Sequence, residues 1–282
     1  MNRRKFIQNV TAAGAGAAVG FAGLTSKAHA ADLPIGIQLY TVRSLSRDDF
    51  KGTLKKVSEI GYKHFEYAGY GDMTADQLKT FVTGLGVTGC GTHEGFQNFE
   101  GGADDVIAFS KTLGVPYVVV PSMPREIRSG GVAEIEKFAA GLNKYGKMVK
   151  KAGMQLCYHN HSFEFEKVED GRTIWDVLFS AADSDLVKAE VDVAWVYNAD
   201  VDPVEFLSHW GERVKLLHMK DLDKERKLTP VGDGEINLEQ VVATAKQIGV
   251  DWYIVEQDRT REGKDILDEI TISYKNMVQL LS

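Results

Sequence analysis

The chain has 282 residues, of which 44% are hydrophobic and 26% charged, and a formal net charge of -7. That balance excludes a disordered or collagen-like chain, and the acidity argues against a nucleic-acid partner, whose phosphates need a basic face. A small neutral or polar substrate suits it better.

In chain order, residues 1–30 read as an export signal. Asn2-Arg3-Arg4-Lys5-Phe6-Ile7-Gln8 is a paired-arginine head, Val10 to Leu24 is a run of small apolar residues, and Ala28-His29-Ala30 has the A-x-A form of a cleavage site. The run is too short and too rich in Gly and Ala to span a bilayer. A twin-arginine-type signal is therefore expected, with a periplasmic or otherwise exported product and no stable membrane insertion.

Residues 31–282 alternate strand-like apolar runs with stretches of helical period, the pattern of a parallel sheet covered by helices. Strands are expected at Ile35–Tyr40, Tyr62–Tyr67, Val87–Thr92, Tyr117–Val120, Gln155–His159, Val187–Asp192, Val214–His218 and Tyr253–Glu256. Helices are expected at Asp48–Ile60, Thr74–Leu85, Ala103–Leu113, Val132–Ala152, Ile174–Ala181, Pro203–Trp210, Leu238–Ile248 and Ile266–Leu281. Gly61, Gly86, Gly114, Gly153 and Gly249 each stand between a helix and a strand, where a left-handed C-terminal cap belongs. Thr74, Asn237 and Asp202-Pro203 stand where helices begin. Cys90 and Cys157 fall in strands that are not neighbours and read as buried thiols, not a disulfide. Eight βα units in one α/β domain close most naturally into a single (β/α)8 TIM barrel, whose active site lies at the C-terminal ends of its strands.

The strand ends carry the chemistry. The first four offer Gln38 and Tyr40, Glu66 and Tyr67, Thr92, His93 and Glu94, then Pro121 and Ser122, with Tyr40, Glu66 and His93 as substrate-binding candidates. The segment Gln155–Glu166 ends its strand in His159, Asn160, His161 and Glu164. E-V-D-V-A-W brings Asp192, V-K-L-L-H-M-K-D brings His218, Lys220 and Asp221, and W-Y-I-V-E-Q-D brings Glu256. A lone His at a strand end is usually structural and a lone Asp usually a helix cap. Four such residues at successive ends, His159, Asp192, His218 and Glu256, form a set suited to one divalent ion: Mn, Co, Zn or Mg. Such an ion would acidify the proton on a carbon next to a carbonyl. Trp195, Tyr197, Phe163 and Tyr70 offer flat faces for a sugar ring, and the loop Pro230–Asn237 is a candidate rim.

The pieces C-Y-H-N-H-S-F-E-F, E-V-D-V-A-W followed by D-V-D-P, R-V-K-L-L-H-M-K-D, V-G-D-G-E-I-N and Y-I-V-E-Q-D resemble the xylose isomerase-like sugar phosphate isomerase/epimerase barrels. The resemblance implies a metal at the barrel mouth, held by Glu, Asp, His and Glu, and sugar or polyol substrates. Asp192, His218 and Glu256 match the last three ligands. His159 departs from the first, and Trp195 departs from the histidine of Asp-x-x-His. The epimerases of this family trade a proton between two glutamates, and one of those belongs where this chain has His159; Glu256 is thus candidate ligand and catalytic residue at once. H-N-H-x-F-E-F looks more like inosose dehydratase and the lyases of 3-keto-glycosides, with His161 or Glu164 as base and Lys220 with Asp221 at the departing oxygen. The expected protein is a metal-dependent enzyme that removes a proton next to a carbonyl of a sugar or keto-sugar, ending as isomerase, epimerase or lyase. The alternative is a catalytically inactive sugar-binding barrel. A repair endonuclease of the same superfamily is disfavoured by the acidic charge. A homodimer is plausible on general grounds, with no stretch that identifies an interface.

Overall fold

Strand-forming runs such as Y-V-V-V and W-Y-I-V are too short to satisfy their backbone alone, so they pair in parallel and close on themselves. The computed structural model describes residues 33–282; the expected export signal lies outside the described residues. The strands are β1 (Ile35–Gln38), β2 (His64–Tyr67), β3 (Thr88–His93), β4 (Tyr117–Val120), β5 (Gln155–His159), β6 (Val187–Asp192), β7 (Val214–Met219), β8 (Asp221–Leu222), β9 (Leu228–Thr229) and β10 (Trp252–Val255). Eight of them form a closed barrel in the order β1-β10-β7-β6-β5-β4-β3-β2, and β8 with β9 make a small antiparallel pair above it. The registers bring Asp192 beside His218 and His159 beside Glu190 on neighbouring strands.

Helices Ile174–Ala181, Pro203–Trp210, Leu238–Ile248 and Ile266–Leu281 run as read from the sequence. All five expected glycine caps have positive φ. Thr74 closes a capping box with Gln77, Asn237 accepts from the Gln240 N–H, and Asp202 caps a helix with Pro203 in its first turn. Other boundaries move for local reasons. The first strand stops at Gln38 because the Gln38 side chain takes the Tyr40 N–H and turns the chain into a 3-10 turn, Leu39–Val42. The helix expected at Asp48–Ile60 is two helices, Arg43–Asp48 and Phe50–Ile60, divided at Asp49, whose carboxylate caps the second through the Gly52 N–H. The helix expected from Ala103 begins at Phe96 and is interrupted at Gly102.

The outward faces of the strands pack on the helices in one large apolar core. Inside the barrel, Cys90, Val119, Cys157, Leu216 and Ile254 form a separate apolar plug. Both cysteines are free and buried, on β3 and β5 with β4 between them. Because side chains alternate along a strand, the residues two further along three of those strands share the inward face: His159 after Cys157, His218 after Leu216 and Glu256 after Ile254. An apolar floor with a polar layer above it thus follows from the alternation itself.

Candidate metal centre

Two four-residue groups among the described residues place one potential ligand atom each within 4.8 Å of all the others: the buried set His159, Asp192, His218 and Glu256, and a second set, His93, His159, Glu190 and His218, buried except for the partly exposed His93. The first is the quartet expected from the strand ends. Asp192 does two jobs there. Its Oδ1 accepts from the Ala194 and Trp195 N–H groups as the N-cap of helix Val193–Asn198, an element the sequence reading did not anticipate. Its Oδ2 is left for something else. Asn160 aligns the ends of β5 and β6 by accepting the Asp192 N–H at 2.9 Å.

Both histidines face two ways. Nδ1 of His159 lies 3.0 Å from Glu190 Oε2, while its Nε2 faces Asp192 Oδ2 at 3.9 Å. For His218, Nδ1 lies 2.8 Å from Glu256 Oε2, and Nε2 lies 2.7 Å from Glu66 Oε2 and 3.2 Å from Glu190 Oε2. His93 Nε2 joins the deeper layer, 2.8 Å from Glu190 Oε2 and 3.2 Å from Glu66 Oε2, and its ring stacks on His218 at 5.3 Å. Glu190 escaped the sequence reading. Its signal was available in E-V-D, since two residues before Asp192 is the same face of the strand.

Charge follows from this packing. Burial opposes a charge on His93, yet the carboxylates of Glu66 and Glu190 outweigh it and push its pKa up to about 10. In His218 burial is likewise overcome, by Glu190, Glu256 and Glu66, and the pKa lies well above the usual imidazole range. His159 goes the other way, held low by burial and by the neighbouring His218. Glu256 sits well below the usual carboxylate range, since Lys220 and His218 outweigh its burial. Burial pushes Asp192 up to about 6, with Lys220 pulling against it.

Lys220 is buried in the mouth. Its Nζ lies 2.9 Å from Asp192 Oδ2, 2.7 Å from Glu256 Oε2 and 2.8 Å from Asp258 Oδ2, and 5.0 Å over the Trp195 ring. Asp192 Oδ2, although in ion-pair range, receives no aligned hydrogen bond. A buried carboxylate oxygen held only by an ion pair, a second carboxylate and two imidazole nitrogens within reach of one another fit a divalent ion. Asp192 Oδ2, Glu256 Oε2, His159 Nε2 and His218 Nδ1 would hold it.

The mouth opens into a cavity of about 390 Å³ lined by Tyr40, His93, His159, His161, Lys220, Glu256 and others. Burial and the nearby Lys220 ammonium push His161 down to about 4, so its imidazole is neutral near pH 7. Its ring stacks on Phe163 and faces Trp195. Glu164 does not line this cavity. It is fully buried, with Oε1 accepting from the Tyr158 hydroxyl and Oε2 from the His161 N–H, both at 2.7 Å. Glu66 lies beneath the cavity lining in the deeper layer. Asp221 also faces away: its carboxylate accepts the N–H groups of Leu222, Gly232, Gly234 and Ile236, so it tethers the loop Pro230–Asn237. Of the aromatics, Trp195 lines a cleft of about 890 Å³ that shares Tyr40 and Asp258 with the mouth. Tyr197 packs under Arg226, Phe163 under Arg128, and Tyr70 bonds to Thr92 and Glu94.

Residues 54–274 match the xylose isomerase-like TIM barrel family. This chain belongs to that family. Among solved members of the fold, a sugar phosphate isomerase/epimerase from Parabacteroides distasonis superposes with a TM-score of 0.79 at 25% identity, covering 88% of this chain and 95% of the other. The IolI protein, solved with a bound zinc atom, superposes at 0.68 with 16% identity over 89% and 98% of the two chains, a likeness of fold alone. By sequence, an inosose dehydratase from Lacticaseibacillus casei is 28% identical over 145 residues, 45% of this chain and 48% of the relative, and one from Clostridium perfringens is 30% identical over 146 residues. The matched stretch spans about half the length of these curated relatives.

Proposed function

We propose that this chain is a metal-dependent carbohydrate enzyme that removes a proton next to a carbonyl of a keto-sugar and then expels the oxygen on the following carbon, a lyase or dehydratase step. The observation that carries the reading is the pairing at the mouth of one neutral imidazole, His161, with one buried ammonium, Lys220, above the His159, Asp192, His218 and Glu256 set. A bound divalent ion would polarise the carbonyl and acidify the neighbouring carbon-bound proton. His161 accepts that proton, and the C–H electrons form the new carbon–carbon double bond as the β-oxygen leaves with its bonding pair. Lys220 gives that oxygen a proton. Glu164 keeps the His161 backbone in place, while Tyr40 and His93 border the sugar. The replacement of the family's glutamate by His159 disfavours proton exchange between two glutamates, which supports elimination over epimerisation.

The adjoining cleft, which shares Tyr40 and Asp258 with the mouth as lining residues, offers a leaving group room outside the sugar pocket. That supports a glycoside over a free monosaccharide. Export, as expected from residues 1–30, also points away from phosphorylated intermediates. The test is to incubate the protein loaded with Mn or Co with keto-glycosides and free ketoses in deuterated water. Release of water or an aglycone supports elimination, and solvent deuterium in an intact sugar supports isomerisation or epimerisation. A rate indifferent to deuteration of the carbon next to the carbonyl overturns proton abstraction. The rival, a sugar-binding barrel without catalysis, draws on the Lys220 ammonium already lying against Asp192 and Glu256. Metal content near zero after loading would favour it.

A further inference from the structure

The deeper layer is built around two carboxylates that meet from opposite sides of the barrel, Glu66 on β2 and Glu190 on β6, each with no measurable solvent exposure. Each uses one oxygen for all its polar contacts. Glu190 Oε2 takes His93 Nε2 at 2.8 Å and His159 Nδ1 at 3.0 Å; Glu66 Oε2 takes Gln38 Nε2 at 2.8 Å and His218 Nε2 at 2.7 Å. A carboxylate offers only lone pairs, so each imidazole nitrogen that touches it must carry the proton. That assigns Nδ1–H to His159 and Nε2–H to His218, whose Nδ1 meets a carboxylate as well, Glu256 Oε2 at 2.8 Å, and so carries a second proton that a bound ion would replace. The nitrogens left on the other sides, His159 Nε2 and His218 Nδ1, are those that face Asp192 and Glu256 in the mouth. A metal-ligating histidine commonly donates its second N–H to a carboxylate, which sets its tautomer and ring orientation.

We infer that Glu190 and Glu66 are positioning residues for the metal centre: they turn His159 and His218 so that Nε2 of the one and Nδ1 of the other are presented to the ion. The inference rests on the mouth quartet being the metal site. It explains why acidic side chains lie under the mouth with no exposure to substrate, and why His93, charged between them, balances their charge.

The experiment uses the full chain with isotope-labelled histidine. In the metal-free protein, nitrogen chemical shifts are expected to show His159 protonated at Nδ1 and His218 at both nitrogens, and with metal bound His218 at Nε2 alone; His159 protonated at Nε2, or His218 keeping its Nδ1–H with metal bound, overturns the proposal without any variant. Co(II) or Zn(II) affinity, measured by chelator competition, is expected to fall about 10- to 100-fold in Glu190→Gln, with His159 becoming a mixture of tautomers. Glu66→Gln is expected to lower the affinity by a similar factor through His218, and serves if Glu190→Gln does not fold. Affinity within twofold of wild type in a folded variant, with unchanged tautomers, overturns the proposal. Asp192→Asn separates this failure from failure of the mouth reading. If Asp192→Asn binds as tightly as wild type while His93→Gln abolishes binding, the ion belongs to the deeper group and both readings fall together.

Discussion

Glu164 shows how a residue chosen for its chemistry can serve position instead. It accepts from Tyr158 and from the His161 N–H, yet burial outweighs both and pushes its carboxyl up to about 8. In the unfolded chain the same group ionises at an ordinary carboxylate pKa, so between about pH 4.5 and 8 the folded state holds a proton that the unfolded state releases. Stability from this group is fully present below about pH 4.5 and declines until about pH 8, a loss on the order of 3 kcal/mol at pH 7 by the usual conversion. Glu164→Gln is therefore expected to flatten the fall of the urea midpoint between pH 5 and 8. An identical pH slope in the variant would show that Glu164 is ionised in the native protein. The Glu164 carboxylate was visible in the sequence; its direction was not, because the 3-10 turn Phe163–Phe165 that buries it has no pattern of its own. Glu190 is the converse case, a residue on the right face of a legible strand that the polar end of the same strand overshadowed.

At the scale of elements, the loop Pro230–Asn237 hangs from one side chain. Asp221, on the short strand β8, takes four backbone N–H groups with its two oxygens, three of them from residues 11 to 15 positions later. A Cβ on Gly234 would fall on the Asp221 carboxylate and 2.5 Å from the Leu222 carbonyl, so the glycine is required for close approach and not for an unusual φ. Asp221→Asn leaves one acceptor oxygen where two are used and is expected to cost about 2 kcal/mol. Gly234→Ala should cost at least about 1 kcal/mol by displacing the same carboxylate. Hydrogen exchange of the Gly232, Gly234 and Ile236 amides checks both, since protection should drop there first; unchanged protection in Asp221→Asn would mean that the loop is held by other contacts. Such a tether joins residues far apart in the chain, which is why V-G-D-G-E-I-N read as a rim loop and K-D as a catalytic pair. Helix caps and strand alternation, by contrast, are local, and the barrel count, its glycine junctions and the mouth quartet were all legible from them. Boundaries slipped where a side chain captured a nearby backbone group, as Gln38, Asp49 and Asp192 do.

For the whole molecule, the four candidate ligands come from the ends of β5, β6 and β7 and from the residue after β10, four consecutive staves of the barrel. The unfolded chain spreads these groups over about a hundred residues, so an ion that binds the quartet binds the closed barrel far better than the open chain. By linkage, saturating metal at about a hundred times its dissociation constant should stabilise the fold by about 2.7 kcal/mol. Because unfolding of a single barrel opens all four staves together, the gain should appear as one upward shift of the whole thermal transition. Differential scanning calorimetry with and without Mn, Co or Zn measures this directly, and a chelator should reverse it. Asp192→Asn carries the decisive control. It retains an acceptor for the Ala194 and Trp195 N–H groups while replacing the carboxylate oxygen that faces Lys220 by an amide, so the helix cap survives and the ligand does not. The variant is expected to fold and to lose most of the metal-induced shift. If it keeps the full shift, the stabilising ion is gripped elsewhere in the barrel, and the Lys220 ammonium, not a metal, is the charge that holds the mouth carboxylates together.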